Sequence, residues 1–390
     1  MTATHNPGHV KRRLKIVHLT TVHSAIDPRI FHKECRSLAR AGFDVTVIGP
    51  HHGDATLDAV KIKSISQDRS RAARMTRTAW RAYKQARLAD ADVYHFHDPE
   101  LIPVGLLLQM NGKRVIYDVH EDLPKDVLSK HYLPGWSRFA FARLSQGIEE
   151  LFSGHFSALV TVTPAIADRL RKINPHTIVV HNFPYAEELL IAGTPPAWEG
   201  RRASVTYVGG IARRRAIREM VSAMALLPES LPATLELAGP EIPAEADSEA
   251  LRKHPGWKRV HHHGFLDQKS TFRILQNVRA GLVLFLPEPC HFDAMPQKIF
   301  EYMGAGLPVI ASDFPLWRRI MGDIGCAVFV DPTDPAQIAK AVEYVLTHPR
   351  EAEEMGRRGQ AAVSQKFNWT SEAEKLVRLY EGIEREICAA

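Results

Sequence analysis

Residues 293–313, Asp293-Ala-Met-Pro-Gln-Lys-Ile-Phe-Glu-Tyr-Met-Gly-Ala-Gly-Leu-Pro-Val-Ile-Ala-Ser-Asp313, read as a loop, a short helix, a tight turn and a buried strand. Pro296 suits the first helical position, where a missing N–H is no loss and the fixed φ already fits. Ile299, Phe300 and Met303 recur at helical spacing and make one apolar face. Gly304 and Gly306 end the helix, and Val309-Ile310-Ala311 follows as a short apolar strand. The helix therefore starts just after one carboxylate, Asp293, and carries a second, Glu301, two turns further on. Unbonded amides at a helix start act as about half a positive charge, which favours an anion there. The same residues also fit an ordinary helix–strand unit with two solvated acids.

Working outward, 390 residues exceed what one hydrophobic core organises, so two domains of roughly 150–200 residues are expected. Apolar residues at 45% and charged residues at 24% belong to an ordinary water-soluble chain. A formal charge of +6 suits anionic ligands or a membrane surface and is too weak to argue for nucleic acid. Cys35, Cys290, Cys326 and Cys388 are far apart, which suits reduced thiols rather than a disulfide framework or a zinc site. Residues 1–13 are polar and basic, unlike a secretory signal, and no apolar run approaches membrane-spanning length. The expected location is the cytoplasm, with peripheral contact at the inner face of the membrane as a further reading.

From the start, residues 14–19 suit a buried parallel strand, residues 30–41 an amphipathic helix capped by Gly42, and residues 45–48 the next strand. This strand–helix–strand order repeats and predicts a parallel, doubly wound sheet. Ligands of such sheets sit at the carboxyl ends of strands, which points to the loop 20–29. There Asp27 and Arg29 are candidate ligand contacts, Asp27 being equally suited to cap the helix. Residues 69–89 carry Arg69, Arg71, Arg74, Arg77, Arg81, Lys84 and Arg87 without an acid, interleaved with Met75, Trp80 and Tyr83. Such a helix lies on anionic lipid or is simply a solvated surface. Residues 92–100 alternate as a strand ending at His97-Asp98-Pro99-Glu100, and residues 113–122 end in His120, Glu121 and Asp122. His120 beside two acids invites a metal, but no second ligand set lies at suitable spacing. Residues 187–202, with several Gly and Pro, predict an interdomain linker.

The second half restarts with a strand running into Gly209 and Gly210, then Arg213-Arg214-Arg215 before a helix. Glycine lets a backbone approach a phosphate closely, and guanidinium groups supply forked donors. His261, His262 and His263 alternate across a strand, so they do not chelate one ion together. Residues 282–286 read as the strand feeding the opening stretch. No strand is followed by G-x-G-x-x-G with a distal acid, which argues against a dehydrogenase.

The wording Pro-x-Lys-x-Phe-Glu-Tyr-Met-x-Ala-Gly-Leu-Pro-Val-Ile-Ala-Ser resembles the nucleotide-sugar signature of glycosyltransferase family 4, with Asp293 in place of the usual first Glu and Glu301 as the second acid. His95-Phe-His97-Asp-Pro resembles the family's His-x-His-Asp/Glu-Pro segment, and residues 116–121 its Val-x-Asp-x-His-Glu/Asp element. The loop at Asp27-Pro28-Arg29-Ile30-Phe31 departs from the common Gly-Gly form and is similar to a bacterial subgroup reading Asp-x-Arg-Ile-Phe. The turn at Gly209 resembles the diphosphate element, with Gly210 where an Arg is usual and Arg215-Ala216 where Lys-Gly is usual. Asn182-Phe183-Pro184 matches the Asn that precedes the linker.

The resemblance implies an α/β protein of GT-B fold, with two Rossmann-like doubly wound parallel-sheet domains facing a central cleft. It implies an acceptor domain at 1–190, joined by a terminal helix at 371–390, a linker at 191–202, and a donor domain at 203–370. It implies retaining transfer of a sugar from a nucleoside diphosphate sugar to a glycan or lipid-linked acceptor, in polysaccharide or glycoconjugate biosynthesis. His97, Arg215 and Asp293 are then catalytic. Gly209, Gly210, Arg215, Met295, Pro296, Lys298 and Glu301 hold the donor, with Asp293 on sugar hydroxyls, Glu301 on ribose, and Arg213 and Arg214 as substitutes for Arg215. Asp27, Arg29, His120 and Glu121 hold the acceptor, with Glu100 close by. No metal or other cofactor is expected, because Arg215, Lys298 and the helix start meet the leaving charge. A nucleotide-sugar epimerase of the same fold and a non-catalytic nucleotide-sugar-binding protein are the alternatives.

Overall fold

The computed structural model describes residues 13–129, 134–185, 193, 196–242 and 248–389. The polar arm before residue 13 lies outside the described residues, as do residues 191, 192, 194 and 195 of the expected linker. The chain forms two compact units, the first comprising Met1–Leu123, Arg143–His181 and Glu372–Ala390, the second Pro124–Ala142 and Asn182–Ser371.

The first unit is built on eight strands: β1 (Lys15–Leu19), β2 (Asp44–Pro50), β3 (Ala55–Leu57), β4 (Val60–Ile65), β5 (Val93–Phe96), β6 (Arg114–Val119), β7 (Ala158–Thr161) and β8 (Thr177–Val179). Their order is β3-β4-β2-β1-β5-β6-β7-β8. All neighbours are parallel except the β3–β4 hairpin, whose turn residues Asp58 and Ala59 take φ of 48° and 64°. Apolar runs such as Ile16, Val17 and Leu19 are buried because helices cover both faces of a parallel sheet. The expected helix after β1 opens as a π-helical turn, Ile30–Cys35, and continues as Arg36–Arg40. From Glu372 the terminal helix Trp369–Ala389 belongs to this unit and buries Tyr380 in it.

Six parallel strands make the second sheet: β9 (Ser204–Val208), β10 (Thr234–Ala238), β11 (Val260–Gly264), β12 (Ala280–Val283), β13 (Val309–Ser312) and β14 (Ala327–Val330), in the order β11-β10-β9-β12-β13-β14. Strand β12 begins and ends earlier than its apolar run suggested; Leu284 and Phe285 continue it as buried residues outside the ladder. The helix Gln297–Gly304 buries Ile299, Phe300, Tyr302 and Met303 against the sheet. Each large side chain so buried contributes about 1.5–3 kcal/mol to folding. Pro296 is its N-cap, with φ −66° and ψ 132°, rather than its first helical residue.

In both sheets strand order reverses beside the first strand, between β1 and β5 and between β9 and β12. Helices leave those neighbours to opposite sides, so a crevice opens at their carboxyl ends. The loop 20–29 and His97 follow β1 and β5; Gly209 and the stretch before Pro296 follow β9 and β12.

Candidate active site

In the second unit, β9 ends at a turn where Gly209 takes φ +146°. A β-carbon there would fall 2.5 Å from Lys298 Nζ, so only glycine leaves the ammonium its place. Tyr302 receives the N–H of Val208 at 2.9 Å, and the Tyr207 hydroxyl donates to the Gly210 carbonyl at 2.9 Å, fixing the turn from both sides. Lys298 Nζ sits 4.2 Å from the centre of the Tyr207 ring, and Arg215 Cζ sits 3.8 Å from that of Phe285. The faces of aromatic rings are electron-rich, so they hold two like charges close together in a dry setting. Burial, then the neighbouring Arg215, brings Lys298 down to about 7, with Glu301 opposing.

Arg213–Arg215 form a single 3-10 turn that passes through Ala216 (φ +51°) into the helix Ile217–Leu226. Arg213 is exposed and Arg214 lies 4.0 Å from Asp126, so Arg215 is the one of the three that stacks on Phe285. His291 adds a group that sequence reading passed over. It is buried, its Nδ1–H donates to the Leu286 carbonyl at 2.7 Å, and burial followed by Arg215 and Arg214 takes it down to about 4 against that hydrogen bond. It is a neutral wall, not a third cation.

Asp293 is half exposed and pairs with Lys125 at 2.5 Å. Met295 packs, partly buried, on the core beneath. Glu301 accepts from Gln297 Nε2 at 2.8 Å, and Gln297 Oε1 accepts from Asn182 Nδ2 at 3.1 Å. Asn182, read from sequence only as a boundary residue, thus orients the second acid through Gln297.

In the first unit the polar residues at the β1–β5 crevice are more buried than expected. Asp27 caps the π-helical turn, accepting from the amides of Arg29 at 2.8 Å and Ile30 at 3.1 Å. Arg29 is buried; it meets Asp118 Oδ2 at 3.1 Å and Glu34 Oε1 at 2.9 Å and donates to the Val180 carbonyl at 3.0 Å. This burial suits Arg29 to support of the site rather than to the direct acceptor contact expected of it. Asp98 ties the loop down, accepting from Thr20 Oγ1 at 2.9 Å and the Val22 amide at 3.1 Å. Glu100, expected to face an acceptor, instead pairs with Arg74 at 3.0 Å and accepts from Thr21 Oγ1 at 2.7 Å. Glu121 is exposed.

His97, at the carboxyl end of β5 as expected, is 2% exposed. Its Nε2 lies 2.9 Å from His18 Nδ1 and its Nδ1 lies 3.1 Å from His120 Nε2. His120, at 18% side-chain exposure, is the ring nearer the surface. Burial alone would raise Asp118, but Arg29, His120 and His97 outweigh it and hold the carboxyl well below its usual range. Burial lowers His18, His95 and His97, so all three are neutral. Glu34 is shifted up by burial and by Asp118.

The absence of partners for His120 in sequence is corrected too: His97, Asp118 and His120 come within 4.8 Å of one another, as do His18, Glu34, His95 and His97. The rings of His18 and His97, and of His95 and His97, are however stacked at 19° and 20°. Their ring nitrogens are turned to one another rather than to a common centre, His97 Nε2 to His18 Nδ1 at 2.9 Å and His95 Nδ1 to Tyr380 Oη at 2.9 Å. On β11, His261 and His263 both reach Glu236, at 3.0 and 2.6 Å, while His262 points to Trp257, as alternation requires.

Two doubly wound parallel α/β units, one ending its central strands in an acid-flanked cationic turn, have the GT-B architecture. Residues 28–183 match the model of Glycosyltransferase Family 4, and residues 213–378 match that of Glycosyl transferase-like proteins. The chain belongs to the glycosyltransferases of the family 4 type and is an enzyme of that class. It is 22% identical over 301 residues to glycogen synthase of Mycobacterium tuberculosis (strain CDC 1551 / Oshkosh), covering 75% of this chain and 69% of that one. It is 26% identical over 306 residues to the D-rhamnosyltransferase WbpZ of Pseudomonas aeruginosa, covering 73% and 72%. Sucrose-phosphate synthase from Thermosynechococcus elongatus superposes with a TM-score of 0.76 at 18% identity, over 97% of this chain and 100% of that one.

Proposed function

We propose that this glycosyltransferase moves a sugar, with retention of anomeric configuration, from a nucleoside diphosphate sugar to a glycan or lipid-linked acceptor in cell-surface polysaccharide or glycoconjugate biosynthesis. The observation that carries this is the pairing of Arg215 on Phe285 with Lys298 on Tyr207 beside Gly209. Departure of a nucleoside diphosphate leaves charge on its β-phosphate, and preorganised cations in a dry pocket stabilise that charge by several kcal/mol. Lys298 takes the place of the arginine that Gly210 lacks. Asp293 grips sugar hydroxyls and Glu301 the ribose. Attack comes on the same face, with the leaving phosphate as base, and no metal or cofactor enters. The acceptor side is formed by residues 1–190 with the terminal helix 371–390, His120 presenting the histidine row that has His97 behind it. The donor side is formed by residues 203–370, with 191–202 as linker.

Peripheral binding to anionic membrane is supported by the helix 71–89, where Arg77, Lys84, Arg87, Trp80 and Leu88 are outward-facing, although Arg74 and Arg81 turn inward to Glu100 and Asp68. Among the described residues no helix is long and apolar enough to cross a membrane.

Titration calorimetry with UDP, GDP, ADP and their sugars, followed by product analysis with candidate acceptors and EDTA present, tests the reading. Transfer with retained anomeric configuration and undiminished rate in EDTA is expected. Epimerised sugar without acceptor would point to an epimerase, and binding without turnover to a non-catalytic binding protein.

A further inference from the structure

The five groups His120, His97, His18, Tyr380 and His95 form one unbroken row. The links are 3.1 Å from His120 Nε2 to His97 Nδ1, 2.9 Å from His97 Nε2 to His18 Nδ1, 3.4 Å from His18 Nε2 to Tyr380 Oη, and 2.9 Å from Tyr380 Oη to His95 Nδ1. Four members are buried, and only His120 is partly exposed. A neutral imidazole has one donor nitrogen and one acceptor nitrogen, and a phenol one donor with acceptor capacity. Every link then needs one donor and one acceptor, so the tautomers of His120, His97 and His18 are chosen together.

Besides one in which the Tyr380 oxygen accepts from both neighbours, which would leave its buried O–H without a bond along the row and a bare His95 Nε2 facing Asp118, two complete arrangements exist. In the first, His120 Nε2–H donates to His97, His97 Nε2–H to His18, His18 Nε2–H to Tyr380, and Tyr380 O–H to His95. In the second, every donor is reversed. The first leaves one bare nitrogen near Asp118 Oδ2, His97 Nδ1 at 3.4 Å, whereas the second turns two toward it, His120 Nε2 at the shorter 3.1 Å and His95 Nε2 at 3.9 Å. Asp118 is ionised beside Arg29, so its oxygen repels lone pairs and attracts N–H groups. The first arrangement therefore holds, and it leaves His120 with Nδ1 as its bare, accepting nitrogen.

We propose that Tyr380, contributed by the terminal helix, is a positioning residue of the site: its hydroxyl closes the histidine row at the buried end and thereby fixes His97 and His120 in the Nε2–H tautomer. This rests on the reading of the His97–His120 row as the acceptor side of the enzyme. Removing the hydroxyl leaves His18 Nε2 and His95 Nδ1 without a shared partner, and the two arrangements lose the link that couples them. Arg29, Asp118, Glu34 and Asp98 are the ionisable groups around the row, and among the described residues the Tyr380 hydroxyl bonds to His95 and His18.

The experiment is ring-nitrogen NMR on 15N-histidine protein, wild type and Tyr380→Phe, with assignment by single His→Gln variants. In wild type, His18, His97 and His120 show the Nε2–H pattern; an Nδ1–H pattern at His18 overturns the proposal before any variant is made. In Tyr380→Phe the His18 and His97 signals move toward mixed tautomers, and unchanged signals equally overturn it. Turnover is expected to fall about tenfold with donor KM unchanged, the scale of one buried hydrogen bond. If the ring signals shift but turnover and acceptor KM do not, the positioning by Tyr380 stands and the acceptor-side reading of the row falls.

Discussion

Gly209 and Lys298 occupy one space: a β-carbon on the glycine would sit 2.5 Å from the lysine ammonium, and the backbone there is held at φ +146°. Gly209→Ala therefore meets both a displaced cation and a strained backbone. The expected cost is about 1–3 kcal/mol of stability, together with weaker nucleotide binding. Urea unfolding and calorimetry read the two effects separately; a variant as stable and as tight-binding as wild type would show the pocket rearranges freely.

Lys298 gives the site a pH dependence of definite sign. Its folded value of about 7 lies below the ordinary 10.5. Between those values the unfolded chain holds a proton that the folded chain lacks, so stability of the unliganded protein rises with pH across that window. A bound diphosphate restores the charge. Above pH 7 binding therefore takes up a proton, and affinity falls as pH rises. Calorimetry of UDP at about pH 8.5 in buffers of different ionisation enthalpy should show this uptake, and Lys298→Met should abolish it while leaving the unliganded protein at least as stable below pH 7. Identical heats in all buffers would remove Lys298 from the diphosphate.

Arg215→Ala is expected to lower turnover by roughly one to three orders of magnitude, the scale for removing a charge-stabilising group. Single-turnover rates at saturating donor measure it. A loss confined to KM would make Arg215 a binding group only.

Glu301→Ala should abolish nucleotide-sugar binding, whereas Asn182→Ala should weaken it in part, because Asn182 reaches Glu301 only through Gln297. Equal losses in both variants, or wild-type affinity in Glu301→Ala, would contradict the ribose assignment.

Arg29→Met separates support from acceptor contact. Loss of the guanidinium strands Asp118 and Glu34 in a buried setting, a cost of about 3–5 kcal/mol for a broken buried pair. Urea midpoints should fall sharply. A stable variant with raised acceptor KM alone would restore the contact role that sequence suggested.

The strand ends that carry the chemistry were legible from residue order. Apolar runs ending at glycines or at polar clusters put Gly209, His97 and His120 after β9, β5 and β6, and Asp293 in the segment before a short helix, because burial of parallel strands demands near-continuous apolar sequence. Helix ends were less legible: Pro296 serves as an N-cap, a π-helical turn opens the helix after β1 and another follows the first turn of the helix after β4, since a proline or an inserted residue alters one turn without altering the apolar period. His18 gave one signal that was passed over, a titratable residue inside the apolar run of β1, paired in register with His95 of β5.

By itself the sequence determined the two parallel-sheet units, the donor turn and the acidic helix, all of which depend on patterns within some twenty contiguous residues. The tertiary structure alone decided which charges face each other: Arg29 with Asp118 and Glu34, Lys298 with Arg215 around Phe285, and Tyr380 with His95 across 285 positions of chain. Electrostatic and hydrogen-bonding partners are chosen by distance in space, and distance in space between remote segments exists only once the sheets have set strand order.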